Sequence, residues 1–478
     1  MNVLAIDQGT SSTKALVVAP DGGVLAEASA TVHPKALGDD VVEQDPEELF
    51  ESIVEAGRNA LTDAGGADVG AVGIANQGET VLRWNRETGQ VLGPALSWQD
   101  RRAVEVTRDL AEHEDRLTEL SGLPLDPYFA APKMTWMRRQ TGPGDIITTV
   151  DAWLNHRLAG AFVTDAATAS RTMLLDLDRA DWSPEACELF EIDVDDLPGV
   201  VDCDAVVGET DAFGPALPVA GLVVDQQAAL FAESCFDIGE AKCTYGTGAF
   251  ILANAGGTAT RSEARLAACV AWRLDGSTSY CLDGQVYTAA SVVSWLEQLG
   301  MIGEAADLDR LGPERDRGAI FVPALAGLAA PFWEPKARGG WVGLSLATDR
   351  EDLVRAVAWG IAAQVASLAH AVGDDLGRPL ERLRVDGGLA RSSLLMQAQA
   401  DLLQAPVERY PSADATALGA AAFARLGVGD AKTPADAVGS WAPTATFEPK
   451  VEPDRAQAYL ARWHRAAKAM AGLAHEVG

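Results

Sequence analysis

Residues 3–18 constrain the rest of this chain more than any other stretch. An apolar run, Val3-Leu4-Ala5-Ile6, ends on Asp7, and Gly9-Thr10-Ser11-Ser12 leads into a second β-branched run that closes on Val17-Val18. This pattern predicts two strands joined by a turn shaped for an anion. Gly9 lets the backbone approach a ligand closely, the hydroxyls of Thr10, Ser11 and Ser12 are donors, and Lys14 adds positive charge. Asp7 stands where a Mg²⁺ ion accompanying phosphates takes a hard oxygen ligand. A plain hairpin with a polar turn accounts for the same residues. The P-loop pattern G-x-x-x-x-G-K-[ST] does not occur.

The surroundings of this turn decide how it is read. A third run, residues 23–30, follows Asp21-Gly22-Gly23, a hairpin signal. Asp45-Pro46-Glu47-Glu48 opens a helix with Leu49, Ile53, Ala56 and Ala60 on one face. A strand over Val72–Ala75 then ends in Asn76-Gln77-Gly78-Glu79-Thr80, at the C-terminal strand end where α/β sheets gather ligands. Trp98, within Ser97–Arg102, suits either core packing or a wall for the carbon face of a polyol. Pro124 and Pro127 enforce an extended course that presents Tyr128, a position compatible with a structural or a binding role.

A second half announces itself near Pro218–Leu222. There a short apolar strand runs into Asp225-Gln226-Gln227 at the mouth of a helix, and Thr244-Tyr245-Gly246-Thr247-Gly248 repeats the Gly-Thr turn after a strand. Two such turns in two halves imply duplicated domains facing each other across a nucleotide. Helices are expected over 352–373 and 454–474, and Leu383–Ser392 reads as strand, Asp386-Gly387-Gly388 turn and helix start, where a nucleotide can lie against bare backbone. Thr416–Ala422 is a helix of small residues suited to close packing. By fold analogy, such a module is shared by sugar kinases, actin and the 70-kDa chaperones.

Composition narrows the function. With 478 residues, two domains are expected, divided as 1–222 and 223–478. A net charge of −31 argues against non-specific nucleic-acid binding and leaves open whether the acidity reflects salt adaptation. No apolar run is expected to reach a membrane span of roughly 18 residues, no signal peptide is read, and a cytoplasmic protein is expected. The six cysteines, Cys187, Cys203, Cys235, Cys243, Cys269 and Cys281, contain no C-x-x-C pair and read as buried thiols. The histidines are scattered, which disfavours histidine catalysis.

Assembled in order, the motifs resemble the FGGY carbohydrate kinases, and within that family they are most similar to its glycerol kinase branch. The resemblance rests on Asp7–Thr10, Asn76–Thr80, Trp98–Arg102, Asp126–Phe129, Ala169–Leu174, Asp225–Phe231, Thr244–Gly248, Val385–Gly388 and Thr416–Ala421. It implies an α/β fold of two ribonuclease-H-like domains of the actin and hexokinase type, with a nucleotide cleft between them. It also implies ATP-dependent phosphorylation of a small polyol, with ATP and Mg²⁺ as cofactors. Carried over, the nucleotide site falls on Thr10, Ser11, Ser12, Lys14, Thr247, Ala290, Ser294, Gly388 and Ser392, and the metal on Asp7 and Asp225. The polyol site falls on Gly78, Glu79, Trp98, Tyr128, Asp225, Gln226 and Phe250, with Asp225 as the base. Homodimers or homotetramers are common among relatives.

Three departures accompany the resemblance. Ala290–Ser294 replaces a Gly-x-x-x-Gln pattern, and Ser392 replaces an asparagine. Gly78 stands where the resembling kinases carry a substrate-binding arginine. That loss leaves room for one or two more carbons unless water or a neighbouring side chain fills it, so a longer polyol or ketose is the alternative substrate. A nucleotide-gated ATPase of the actin and chaperone type is the competing class; it has no need of the polar cluster around Glu79, Trp98, Tyr128, Asp225 and Gln226.

Overall fold

A computed structural model of the chain describes residues 1–38, 40–141, 144–312 and 318–474. Its two halves are built on sheets whose centres share one pairing. In the first, Asn2–Gln8 pairs antiparallel with Ser12–Val18, which pairs antiparallel with Val24–Thr31. On its other side Asn2–Gln8 runs parallel to Val69–Asn76, Leu217–Val224 continues that parallel side, and Val206–Thr210 closes the edge. In the second, Ala241–Tyr245 pairs antiparallel with Ala249–Gly256 and parallel with Leu383–Asp386, within a seven-stranded sheet. The two Gly-Thr turns therefore occupy the same hairpin in each sheet. The strand Leu217–Val224 carries the first sheet two residues past the expected division at 222.

The opening run is apolar without alternation because both of its faces are covered. Leu4 and Ile6 pack with Leu49, Ile53, Ala56 and Ala60 of the helix Pro46–Asp63. Val3 and Ala5 face the opposite way, onto Ala417, Ala421 and Ala424. Those alanines lie on the helix Ala415–Gly427, so the second half of the chain supplies the cover for the first sheet. Its small residues permit backbone contact: a Cβ on Gly73 would lie 2.2 Å from the Ala420 carbonyl oxygen, and one on Gly419 would lie 2.0 Å from that of Ala228.

Gly419→Ala is accordingly expected to destabilise the protein by about 3 kcal/mol, since two backbones must separate to admit one methyl. Gly472→Ala is the control, because nothing lies within 4 Å of a Cβ there. Urea denaturation of both variants checks the contrast, and equal stabilities would refute the close packing.

The expected helix over 352–373 extends to Arg350–Leu376, capped by Asp349 and ended by Gly377 at φ 67°. The expectation about apolar runs needs correcting here. An 18-residue window of this helix has a mean hydropathy of 1.4, long and apolar enough to cross a membrane, yet 89% of it is buried inside the protein. It packs against the second sheet and the helices Ser393–Leu403 and Pro453–Ala474, a core position that demands apolar residues all round. All six cysteines are buried and unbridged, as read.

Candidate active site

The first turn is a rigid unit. Gly9 N–H donates to the Ser12 carbonyl at 3.0 Å. The Thr10 hydroxyl accepts from Trp98 Nε1 at 2.8 Å and donates to Gln77 Oε1 at 3.1 Å, while Gln44 donates to the Thr10 carbonyl at 2.8 Å. Trp98 thus braces the turn through its indole nitrogen. Ser11 and Ser12 are exposed. Lys14, assigned to the nucleotide, contacts Asp414 through its ammonium at 2.5 Å, just before the helix Ala415–Gly427. Neither carboxyl oxygen of Asp7 has a hydrogen-bond partner among the described residues. Burial, then the nearby Asp225 charge, push its carboxyl up to about 7.

Asp225 enters from the adjacent strand. Val224 pairs with Asn76, so the two strands deliver Asp225 and the 76–80 cluster side by side. Asp225 is the first residue of the helix Asp225–Ala232, and among the described residues its Oδ1 accepts only from its neighbour Gln226 N–H, at 2.6 Å, instead of capping the helix. Burial, then Glu79, push its carboxyl up to about 6, against the pull of Lys242. Lys242 is sealed from solvent and donates to Gln226 Oε1 at 2.5 Å and Thr244 Oγ at 2.8 Å. Sequence reasoning gave Lys242 no role.

Glu79 is 4% exposed and sits at φ 55°. It forms an ion pair with Arg171 Nε, and Arg171 Nη1 donates to Asp283 Oδ2 at 2.7 Å, on the strand Ser277–Val286 of the second half. Burial raises the Glu79 carboxyl, and Arg171 opposes that shift. The Arg171 guanidinium lies 5.9 Å from the Tyr128 ring centre, and Tyr128 meets Trp98 edge-on at 5.9 Å. The prolines do not hold Tyr128 unaided. Lys133, fully buried, donates to the carbonyls of Pro127, Tyr128 and Phe129. Phe250 pairs across strands with Thr244 and Gln285 and packs against the same apolar cluster as Tyr128. Beside Gly78, a Cβ would meet Val224 Cγ2 at 3.1 Å and stand in ordinary contact with Arg171 Cδ and Nε at 3.9 Å, so these two side chains border the position.

The second turn supports a helix. The exposed Thr247 accepts at its carbonyl from Ala289 N–H at 2.8 Å and from Ser291 Oγ at 3.0 Å, anchoring the helix Ala290–Gln298. Ala290 and Ser294 lie one turn apart on that helix, the first half-buried and the second exposed. Gly387, at φ 86°, packs onto Tyr245, where a Cβ would lie 2.5 Å from its carbonyl oxygen. Nothing lies within 4 Å of a Cβ on Gly388, which presents bare backbone to open space. Ser392, assigned to the nucleotide, caps a helix here. Its hydroxyl donates to Asp309 at 2.9 Å and accepts from Leu395 N–H at 3.3 Å, capping the helix Ser393–Leu403.

Residues 2–232 match the N-terminal domain of the FGGY family of carbohydrate kinases, and residues 241–427 match its C-terminal domain. The chain belongs to the FGGY family of carbohydrate kinases. Among its relatives, proteins named glycerol kinase from Aromatoleum aromaticum and Myxococcus xanthus are each 41% identical. The alignments cover 98% of this chain and 99% of the first relative, and 97% and 98% for the second. A crystal structure of Plasmodium falciparum glycerol kinase with ADP superposes with a TM-score of 0.91 at 29% identity, over 98% of both chains. A xylulose kinase from Lactobacillus acidophilus superposes at 0.90 with 20% identity over the whole of both chains, a likeness of fold alone. The two-domain ribonuclease-H-like α/β fold expected from the sequence is therefore that of this FGGY kinase.

Proposed function

We propose that this FGGY kinase transfers the terminal phosphoryl group of ATP to a terminal hydroxyl of glycerol, giving glycerol 3-phosphate and ADP. The observation that carries the reading is the convergence of Asp225, Gln226, Glu79, Tyr128 and Trp98 around one charged cluster, in a chain 41% identical over its length to proteins named glycerol kinase. An ATPase of the actin and chaperone type has no use for such a cluster.

Phosphoryl transfer asks the protein for in-line positioning and for neutralisation of charge more than for covalent help. In this reading Asp225 accepts the proton of the attacking hydroxyl, and its raised carboxyl matches that task while remaining ionised at neutral pH. Gln226, fixed by Lys242, and Glu79, fixed by Arg171, orient the polyol; Trp98, Tyr128 and Phe250 pack against its carbons. The backbone and hydroxyls of Thr10, Ser11 and Ser12 receive phosphate from one lobe, and Thr247 receives it from the other. Gly388, Ala290 and Ser294 are assigned to the nucleotide.

The unpartnered Asp7, crowded by Asp225 and Asp414, fits a Mg²⁺ ion bound with the nucleotide. Among the described residues no three ligand side chains converge to chelate an ion, so Asp7 and Asp225 would hold it through its water shell. Mg²⁺ would screen the β and γ oxygens. Lobes 1–222 and 223–478 would divide the phosphate contacts, which completes the site only when both are in place and limits hydrolysis of ATP by water. An ATP-consuming polyol kinase is at home in the cytoplasm.

Steady-state kinetics with glycerol, erythritol, ribitol, xylitol and xylulose test the proposal. Glycerol is expected to show the highest kcat/KM. A longer polyol or ketose that leads by more than tenfold overturns the substrate, and ATP hydrolysis that no polyol stimulates overturns the kinase reading.

A further inference from the structure

Arg171 is 4% exposed and tightly engaged on two of its three nitrogens, by Glu79 at Nε and by Asp283 at Nη1. Its Nη2 has no hydrogen-bond partner among the described residues and is not among the atoms sealed from solvent. The same holds for the second carboxyl oxygen of Glu79. An ion pair buried this deeply leaves one donor nitrogen, with two N–H groups, and one carboxylate oxygen unspent, and both belong to a single assembly. A guanidinium only donates, an ionised carboxylate only accepts, and a hydroxyl does both. One donor and one acceptor at fixed spacing match two neighbouring hydroxyls of a polyol.

The position of the arginine adds a steric role. Its Cδ and Nε lie within 3.9 Å of the point where a Gly78 side chain would begin, and Val224 lies closer still at 3.1 Å. Val224 and the Arg171 stem thus border the start of the space that Gly78 leaves beside the substrate glutamate, and Arg171 supplies the positive charge next to it. Asp283 holds the guanidinium: it reaches Arg171 from the second half of the chain, and its other oxygen, Oδ1, has no partner among the described residues.

Resting on the glycerol reading, we propose that Arg171 is a substrate-binding and chain-length-determining residue, whose Nη2 donates to one polyol hydroxyl while Glu79 accepts from the next, and that Asp283 is its positioning residue. The stem closes the pocket beyond a three-carbon chain. A charge-assisted hydrogen bond of this kind supports an effect of about ten- to a hundredfold on binding.

Arg171→Lys and Asp283→Asn test the proposal together, since each retains a polar group at its site. ADP affinity, read by titration calorimetry, reports whether the nucleotide site is intact. For Arg171→Lys the glycerol KM is expected to rise at least tenfold with kcat changed less than fivefold, and the ratio of erythritol to glycerol kcat/KM is expected to rise. Asp283→Asn is expected to shift both quantities in the same directions by a smaller factor, and it carries the test if the lysine variant does not fold. A glycerol KM within twofold of wild type, with ADP affinity retained, overturns the assignment. So does an equal loss on glycerol and erythritol, which marks general damage to the site. A wild-type preference for erythritol overturns the glycerol reading instead; whether Arg171 binds the polyol is then decided by whether the erythritol KM rises in Arg171→Lys.

Discussion

Asp225→Asn is expected to lower kcat by about 10²- to 10⁴-fold, the range supplied by a general base, with ADP binding and stability little changed. The substitution is nearly isosteric, and the amide oxygen can still accept from Gln226 N–H, the one hydrogen bond the carboxylate makes within the described residues. What it removes is the basicity. The wild-type pH profile should report the same group. Its carboxyl stands at about 6, raised from 3.8 by burial and by Glu79. A raised carboxyl loses its proton-accepting form at a higher pH than an ordinary aspartate, so kcat/KM for the polyol should fall about tenfold per pH unit below about pH 6. Asp7, at about 7 and pushed up by the Asp225 charge, would bend the same limb, which therefore reports the pair of acids. Retention of most of the turnover by Asp225→Asn, or a profile flat down to pH 4, would sink the base assignment.

How far the site was legible in the sequence depends on the distance over which its residues act. The first turn reads well because strand, acid, glycine and hydroxyls are contiguous, and the repeat at Thr244–Gly248 proves to be the same hairpin in the second sheet. The small residues of Ala415–Gly427 announce close packing, but not that their partner is a sheet formed hundreds of residues earlier. The positive charge of Lys14 was legible, but its partner Asp414 was not, because it lies 400 positions away. Arg171 lies inside a recognised motif, yet its partners Glu79 and Asp283 are 92 and 112 positions off, so neighbouring residues could not show that it borders Gly78. Ser392 is the opposite case. A serine before an apolar run is an N-cap signal, and Ser392 caps the helix Ser393–Leu403.

Lys133 was the least legible, since a lysine on a helix ordinarily marks the solvent face. Lys133→Met is expected to cost about 3 kcal/mol of stability and to raise the polyol KM about tenfold. The ammonium is fully buried and donates to three successive carbonyls, reaching Pro127 at 3.2 Å and Phe129 at 2.8 Å with Tyr128 between them. Methionine nearly preserves the volume and the apolar stem while removing every donor. Each deeply buried carbonyl left without a donor costs about 1–3 kcal/mol, and those of Tyr128 and Phe129 belong to residues only 8% and 0% exposed. Part of that loss is offset because a buried ammonium is itself costly: burial pulls Lys133 down to about 7, against the nearby charges of Glu79, Asp100 and Asp126. The functional effect follows from the turn that the lysine holds. Tyr128 is kept edge-on to Trp98 and beside Arg171 by that turn, so its ring loses its fixed place in the proposed polyol site when the carbonyls are released. Urea unfolding should show a lower midpoint with an unchanged slope, and thermal shifts should retain stabilisation by ADP while losing that by glycerol. A variant within about 0.5 kcal/mol of wild type would show that the carbonyls find water once the lysine is gone, and that the lysine does not hold Tyr128 in place.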